Sequence, residues 1–164
     1  MSLRLTVLGL AQTQKNLEEG AKLLYGSTMV SAVQRASLRV MRNARQLAPV
    51  DTGQLKNSIV AAIEYDQNTL KGVVGSNLKH APWIEFGTGV FVGKSPYFPP
   101  PAALAVWARR HGINPYALAI SIYRRGGTKG RKYLQTAFDN QRPAILAELQ
   151  IGVASVVSRT NKGS

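Results

Sequence analysis

The chain has no cysteine, only two histidines (His80 and His111) and only 8 acidic residues in 164 positions. Without cysteine there is no disulfide framework, no thiol nucleophile and no cysteine-based zinc or iron–sulfur site. Two histidines leave too few ligands for a metal cluster, so neither a metal nor another cofactor is expected. Long apolar runs are also missing. None approaches the roughly 18 residues that cross a bilayer, and Met1–Thr13 offers only a short apolar stretch after Arg4, so neither a membrane partner nor an export leader is expected. Aromatic residues make up 7% of the chain, and no glycine-flanked aromatic pair of the kind that stacks RNA bases occurs, which argues against sequence-specific base reading.

Positive charge is abundant instead. Lys and Arg number 21, for a net charge of +13, and the excess is regional. From Phe86 to Phe138 there is no Asp or Glu, while Lys94, Arg109, Arg110, Arg124, Arg125, Lys129, Arg131 and Lys132 all fall inside that window. Such a surface attracts polyanions, either nucleic acid or an acidic protein face, with a salt-sensitive contribution. Arg109, Arg110, Arg124, Arg125, Lys129, Arg131 and Lys132 are therefore candidates for a basic contact surface, against the plainer reading of a solvated basic face. Hydrophobic residues make up 45%, ample for a core in a chain that would bury roughly two thirds of its unfolded surface. One domain over 1–164 is expected, with a flexible arm at 1–10 and a flexible tail at 159–164.

The patterning predicts an α+β fold: a long N-terminal helix packed on a small antiparallel β-sheet, with additional C-terminal helices. Leu3, Leu5 and Val7 alternate as a short strand or arm would, and residues 10–24 are mostly good helix formers. From Ser27 to Leu47 the pattern is clearest. Val30, Val33, Ala36, Val40, Ala44 and Leu47 form a stripe at steps of three and four, with Arg35, Arg39, Arg42 and Arg45 on the opposite face. Pro49 stops this helix by Ala48. Ile59, Ala61, Ile63 and Tyr65 alternate as a half-buried strand, Asp66–Asn68 supply turn chemistry, and Leu70–Gly75 return. Trp83–Phe86 is expected as a third strand, because an isolated hairpin is marginal. Helices are predicted at 102–110 and, capped by Asn114 ahead of Pro115, to about Arg125. Gly126–Gly130 reads as a flexible basic loop. Pro143 is expected to open a last helix whose Ile145, Leu149, Val153 and Val156 line one face.

Two near-miss motifs and one isolated acid test the enzymatic alternative. Asp51-Thr52-Gly53 spells the aspartic-protease triplet but follows a broken helix rather than the apolar strand that would bury a carboxylate dyad. Asp51 or Thr52 reads instead as the cap of a short helix, with Gly53 in a turn. Gly89, Gly93, Lys94 and Ser95 approximate a phosphate-binding loop, yet Thr88 stands where the first glycine is required, and Pro96 and Pro99 oppose the helix whose N-terminus would cradle the phosphate. Glu85, alone in the apolar run Trp83–Phe86, reads as a buried or intersubunit ion pair, or as a backbone hydrogen-bond partner, rather than as a catalytic acid. No catalytic residue is assigned and no enzyme is expected.

In order along the chain, Ala48–Ile59 (APVDTGQLKNSI), Gly72–Asn77 (GVVGSN), Ala81–Gly89 (APWIEFGTG), Pro100–Ala102 (PPA) and Arg125–Phe138 (RGGTKGRKYLQTAF) resemble the pattern of the tailed-bacteriophage head–tail joining, or neck and tail-completion, family. That pattern runs from a proline before T-G-x-L-x-x-S-I, through a strand hairpin and a tyrosine-alanine step into E-F-G-T, to a proline-rich approach to Pro-Ala. His80-Ala81 replaces the tyrosine-alanine step here. The resemblance spans roughly 27–150, with 102–132 as the helical insertion of longer members.

The resemblance implies a non-enzymatic virion subunit at the head–tail junction, made in the host cytoplasm and assembled as a ring of itself. Six copies are favoured, and twelve is the competing count. Neighbours would be head-closure or connector proteins and tail-tube or tail-terminator proteins, with nonspecific contact to genomic DNA. A loop as glycine-rich and proline-bounded as Gly87–Pro99 suits ordering against a neighbour. Phe91, Tyr97 and Phe98 would be its apolar anchors, with Glu85, Gly87 and Thr88 completing the candidate interface. The aromatics could equally fold back onto their own core. A nonspecific nucleic-acid-binding protein is the alternative function.

Overall fold

The computed structural model describes residues 2–7, 26–66 and 69–160. Along the chain run strand β1 (Ser2–Val7), helix α1 (Ser27–Leu47), helix α2 (Gln54–Ser58), strands β2 (Ile59–Asp66) and β3 (Thr69–Ser76) and helix α3 (Ala81–Phe86), then a 3-10 turn (Gly89–Val92) and helices α4 (Pro101–Arg110), α5 (Pro115–Arg124) and α6 (Tyr133–Thr160). The expected helix over 10–24, the turn residues 67–68 and the end of the tail lie outside the described residues. The chain divides into two compact units, Met1–Leu78 with Tyr133–Ser164, and Lys79–Lys132.

The first unit is the predicted α+β arrangement. Its antiparallel sheet has the order β1-β3-β2, with Leu5 opposite Gly72 and Ala61 opposite Val74. Helix α1 packs on β2 and β3 and against α6. The stripe read from the sequence is the face it buries: Val33, Ala36, Val40 and Ala44 are inaccessible or nearly so, joined by Met29 and Ala32, whereas Leu47 is exposed. Ala32, Ala36 and Ala44 keep α1 thin, so neighbours approach its backbone closely. Gly72 of β3 is one consequence, since a Cβ there would collide with Ser37 Oγ and lie 3.1 Å from Val33 Cγ1. Ser37 Oγ is itself satisfied by donating to Val33 O at 2.8 Å.

Polar contacts fix how α1 meets its partners. Arg35 Nε and Arg39 Nη2 reach the Glu148 carboxylate of α6 at 2.9 and 3.2 Å. The Arg35 hydrogen bond holds the Glu148 carboxyl below its ordinary range, against the opposing effect of burial, with Arg39 adding to it. Arg45, read as lying opposite the apolar stripe, turns its side chain to the sheet: its Nε and Nη2 donate to Ile59 O at 3.0 and 2.7 Å. The long stem lets the guanidinium fold back onto the first carbonyl of β2.

Three expectations are corrected. Trp83–Phe86 is helical, because Pro82 stands in the first turn of α3, where its missing N–H costs nothing. The third strand of the sheet is β1. Pro143 lies inside α6 rather than at its start. Proline removes one backbone bond there, but Leu134, Ala137, Ile145 and Val156 are buried on both sides of it, and tertiary packing carries the helix through. Finally, Thr52 and Asp51 are not the cap of α2; Gly53 is, in the left-handed turn conformation expected of it (φ 80°). No described helix is long and apolar enough to cross a membrane.

Candidate interaction surface

The second unit, Lys79–Lys132, holds the acid-free window. It carries nine of the chain's Lys and Arg residues and one acid, Glu85. Asn114 caps α5 as predicted, its Oδ1 accepting from Tyr116 N at 2.8 Å and Ala117 N at 3.2 Å. At the end of α4, His111 Nδ1 lies 2.9 Å from Trp107 O, and its ring stacks on the indole at 3.9 Å between centroids.

Gly126–Gly130 is not the flexible loop expected from composition. Backbone bonds tie it and the two residues that follow to α3 and the segment after it: Thr88 N donates to Thr128 O at 2.8 Å, Val90 N to Gly126 O at 2.9 Å, Arg131 N to Ile84 O at 2.7 Å and Lys132 N to Glu85 O at 2.9 Å. Thr128 N donates in turn to Thr88 Oγ1 at 3.0 Å, and Gly87 bridges Lys129 in antiparallel fashion. Glycine makes this clasp possible. Gly87 has φ 89°, and a Cβ on it would strike Thr128 O and sit 2.6 Å from Gly130 N. A Cβ on Gly130 would likewise sit 2.6 Å from Phe86 O. The two glycine-bearing segments singled out by the sequence thus meet backbone to backbone.

The clasp sorts the candidate interface residues. Glu85 and Gly87 are buried in it, Thr88 is half-buried and bonded across it, and Phe91, Tyr97 and Phe98 are exposed. Phe98 also packs edge-on against Tyr116 and Tyr123, with ring centroids 5.7 and 6.3 Å away. Both readings of the aromatics therefore apply to Phe98, which rests on its own unit and still presents a face to solvent. Tyr116 and Tyr123 escaped the sequence reading although their spacing of seven on one helix signals a shared face. Trp83 (60% exposed), Val106 (67%) and Trp107 escaped it too.

Apolar exposure is the defining property of this unit. Among the described residues, its buried apolar side chains are Ala81, Pro99, Ala108 and Ala119, while Trp83, Phe86, Phe91, Tyr97, Val106 and Tyr116 stay in solvent. A unit that hides small side chains and shows aromatics has its large apolar area directed outward. The candidate cations are all exposed but fall into two groups. Arg109 and Arg110 end α4, next to the His111–Asn114 connection, whereas Arg124 and Arg125 end α5 and continue into Lys129, Arg131 and Lys132 of the clasp. The length of α5, about 15 Å, separates the His111–Asn114 connection from Arg124.

Asp51 and Lys94, from the two near-miss motifs, are exposed on separate loops. Among the described residues no group of three or more His, Cys, Asp or Glu could hold a metal ion. A small cavity in the first unit, lined by Ala36, Ser37, Val40, Gly72, Val74, Phe138 and Ile145, has a volume of about 10 Å³ and admits about one water.

Residues 11–87, a little under half of the chain, match the family described as HK97-gp10_like, "Bacteriophage HK97-gp10, putative tail-component". The match supports the tailed-phage head–tail resemblance and a phage structural protein. No curated protein and no solved structure gives a match.

Proposed function

We propose, from the premise of a tailed-phage structural protein, that this chain is a non-enzymatic subunit of the neck that joins head to tail. Six copies form a ring at that junction in the virion, contacting connector or head-closure proteins on one side and tail-tube or terminator proteins on the other. The observation that carries this reading is the second unit, with alanines buried and Trp83, Phe91, Tyr97 and Tyr116 exposed. Exposed aromatics of this kind supply most of the energy of protein–protein contacts when a neighbour desolvates them, about 2 kcal/mol or more for each hot spot. Head-to-tail contact between identical subunits closes into a ring when the rotation divides a full turn.

The test is complementation of a phage lacking the protein with the Phe91→Ser/Tyr97→Ser double variant. Both positions are exposed, so the chain is expected to fold with unchanged thermal stability while filled heads and free tails accumulate unjoined. Joined particles at the normal yield contradict the proposed interface. Native mass spectrometry of the assembled ring is expected to give six copies, and twelve would contradict the count.

A further inference from the structure

Arg124, Arg125, Lys129, Arg131 and Lys132 are all exposed and run from the last turn of α5 through the clasp. Arg35 and Arg39 pair with Glu148, and among the described residues none of these five is paired with a carboxylate. Arg125 Nε instead donates to the Ser121 carbonyl at 3.2 Å. The clasp bonds at Thr128, Arg131 and Lys132 hold this stretch of backbone in place, so these like charges cannot drift apart as they would on a loose loop. Glu85, the unit's one acid, is 1% exposed and leaves the surface single-signed. A fixed group of unpaired cations repels itself and is relieved by a polyanion.

A second copy of the chain is a poor source of that counter-charge. Each copy carries +13, and the exposed acids among the described residues, Asp51, Glu64 and Asp139, are scattered over a turn, a strand and a helix. Protein partners also set register by interleaving both signs, and the window from Phe86 to Phe138 has only one. Duplex DNA needs no register, presenting one negative charge about every 1.7 Å along its axis, twice the density of a single strand. From this we infer that the clasp cations form a binding site for the phosphate backbone of double-stranded DNA, independent of base sequence.

Binding of the full-length chain to a labelled duplex of about 30 base pairs, followed by fluorescence anisotropy across a salt series, tests this. Arg124→Gln/Lys129→Gln/Arg131→Gln is compared with Arg42→Gln/Lys56→Gln/Arg142→Gln, which removes the same charge from exposed positions of the first unit. Lys132 is left in place because its backbone is left-handed (φ 51°). The clasp triple is expected to flatten the slope of log K against log salt by about 2–3 and weaken low-salt binding by roughly tenfold or more. The comparison triple should change the slope by less than about 1. Equal losses in the two triples, no salt-dependent binding by the unaltered chain, or displacement of DNA by polyglutamate of matched charge overturns the site. Should the clasp triple unfold, Lys129→Glu alone is expected to lower the slope by about 1, and an unchanged slope overturns the site equally.

Discussion

Gly87 stands where two backbones touch with no side chain between them, and its φ of 89° is one that other residues avoid. Gly87→Ala must strain the turn or push back the Thr128 carbonyl, at a cost of about 1–3 kcal/mol. Hydrogen exchange is expected to speed up at the Thr88, Val90 and Arg131 amides while those of α1 stay protected; unchanged exchange at all three would contradict the clasp. Glu148 gives a second test at this scale. Its folded pKa is depressed by Arg35, so its stabilisation is fully present above the unfolded value of about 4.5 and is lost as pH falls through the lower folded value. Glu148→Gln is therefore expected to lower the melting temperature at neutral pH, and the gap from the unaltered chain should close as pH drops below about 4.5.

Among the elements, α6 shows a local rule overridden by packing. Pro143 cannot donate to the carbonyl one turn back, yet the stripe Leu134, Ala137, Ile145, Leu149 and Val156 continues on both sides of it. Pro143→Ala restores that bond in a helix already held by its neighbours, and is expected to raise stability by about 1–3 kcal/mol in denaturant melts. The part of the stripe after Pro143, Ile145, Leu149 and Val156, was visible in the sequence. Only the weight given to a single proline hid the first turns of the helix. Helix α1, the hairpin of β2 and β3, and the capped α5 were legible because each has a clean period and a local stop signal: Pro49 for α1 and Asn114 for α5. Trp83–Phe86 was not legible as a helix, since so short an apolar segment has no period to read and Pro82 is its one clue. The clasp was also hidden. Glycine-rich composition looks the same whether the chain is loose or pressed against another backbone.

At the scale of the whole molecule the two units divide the physical work. Met1–Leu78 with Tyr133–Ser164 buries a conventional core of Met29, Val33, Leu70 and their neighbours. Lys79–Lys132 buries alanines and leaves its aromatics and cations in solvent. Regional charge forecast the second unit's basic character from sequence, because charge needs no folding to be counted. Tyr116, Tyr123 and the exposed tryptophans did not stand out, because exposure follows from packing rather than from residue type. In the proposed function this apolar surface is covered by neighbours in the assembled particle. Hydroxyl-radical footprinting of Trp83, Phe91, Tyr97 and Tyr116, in the free chain and in purified virions, tests it most directly. The chain is expected in virions, with these side chains losing most of their reactivity there; a chain missing from virions, or aromatics as reactive there as in free solution, would overturn the proposed interface.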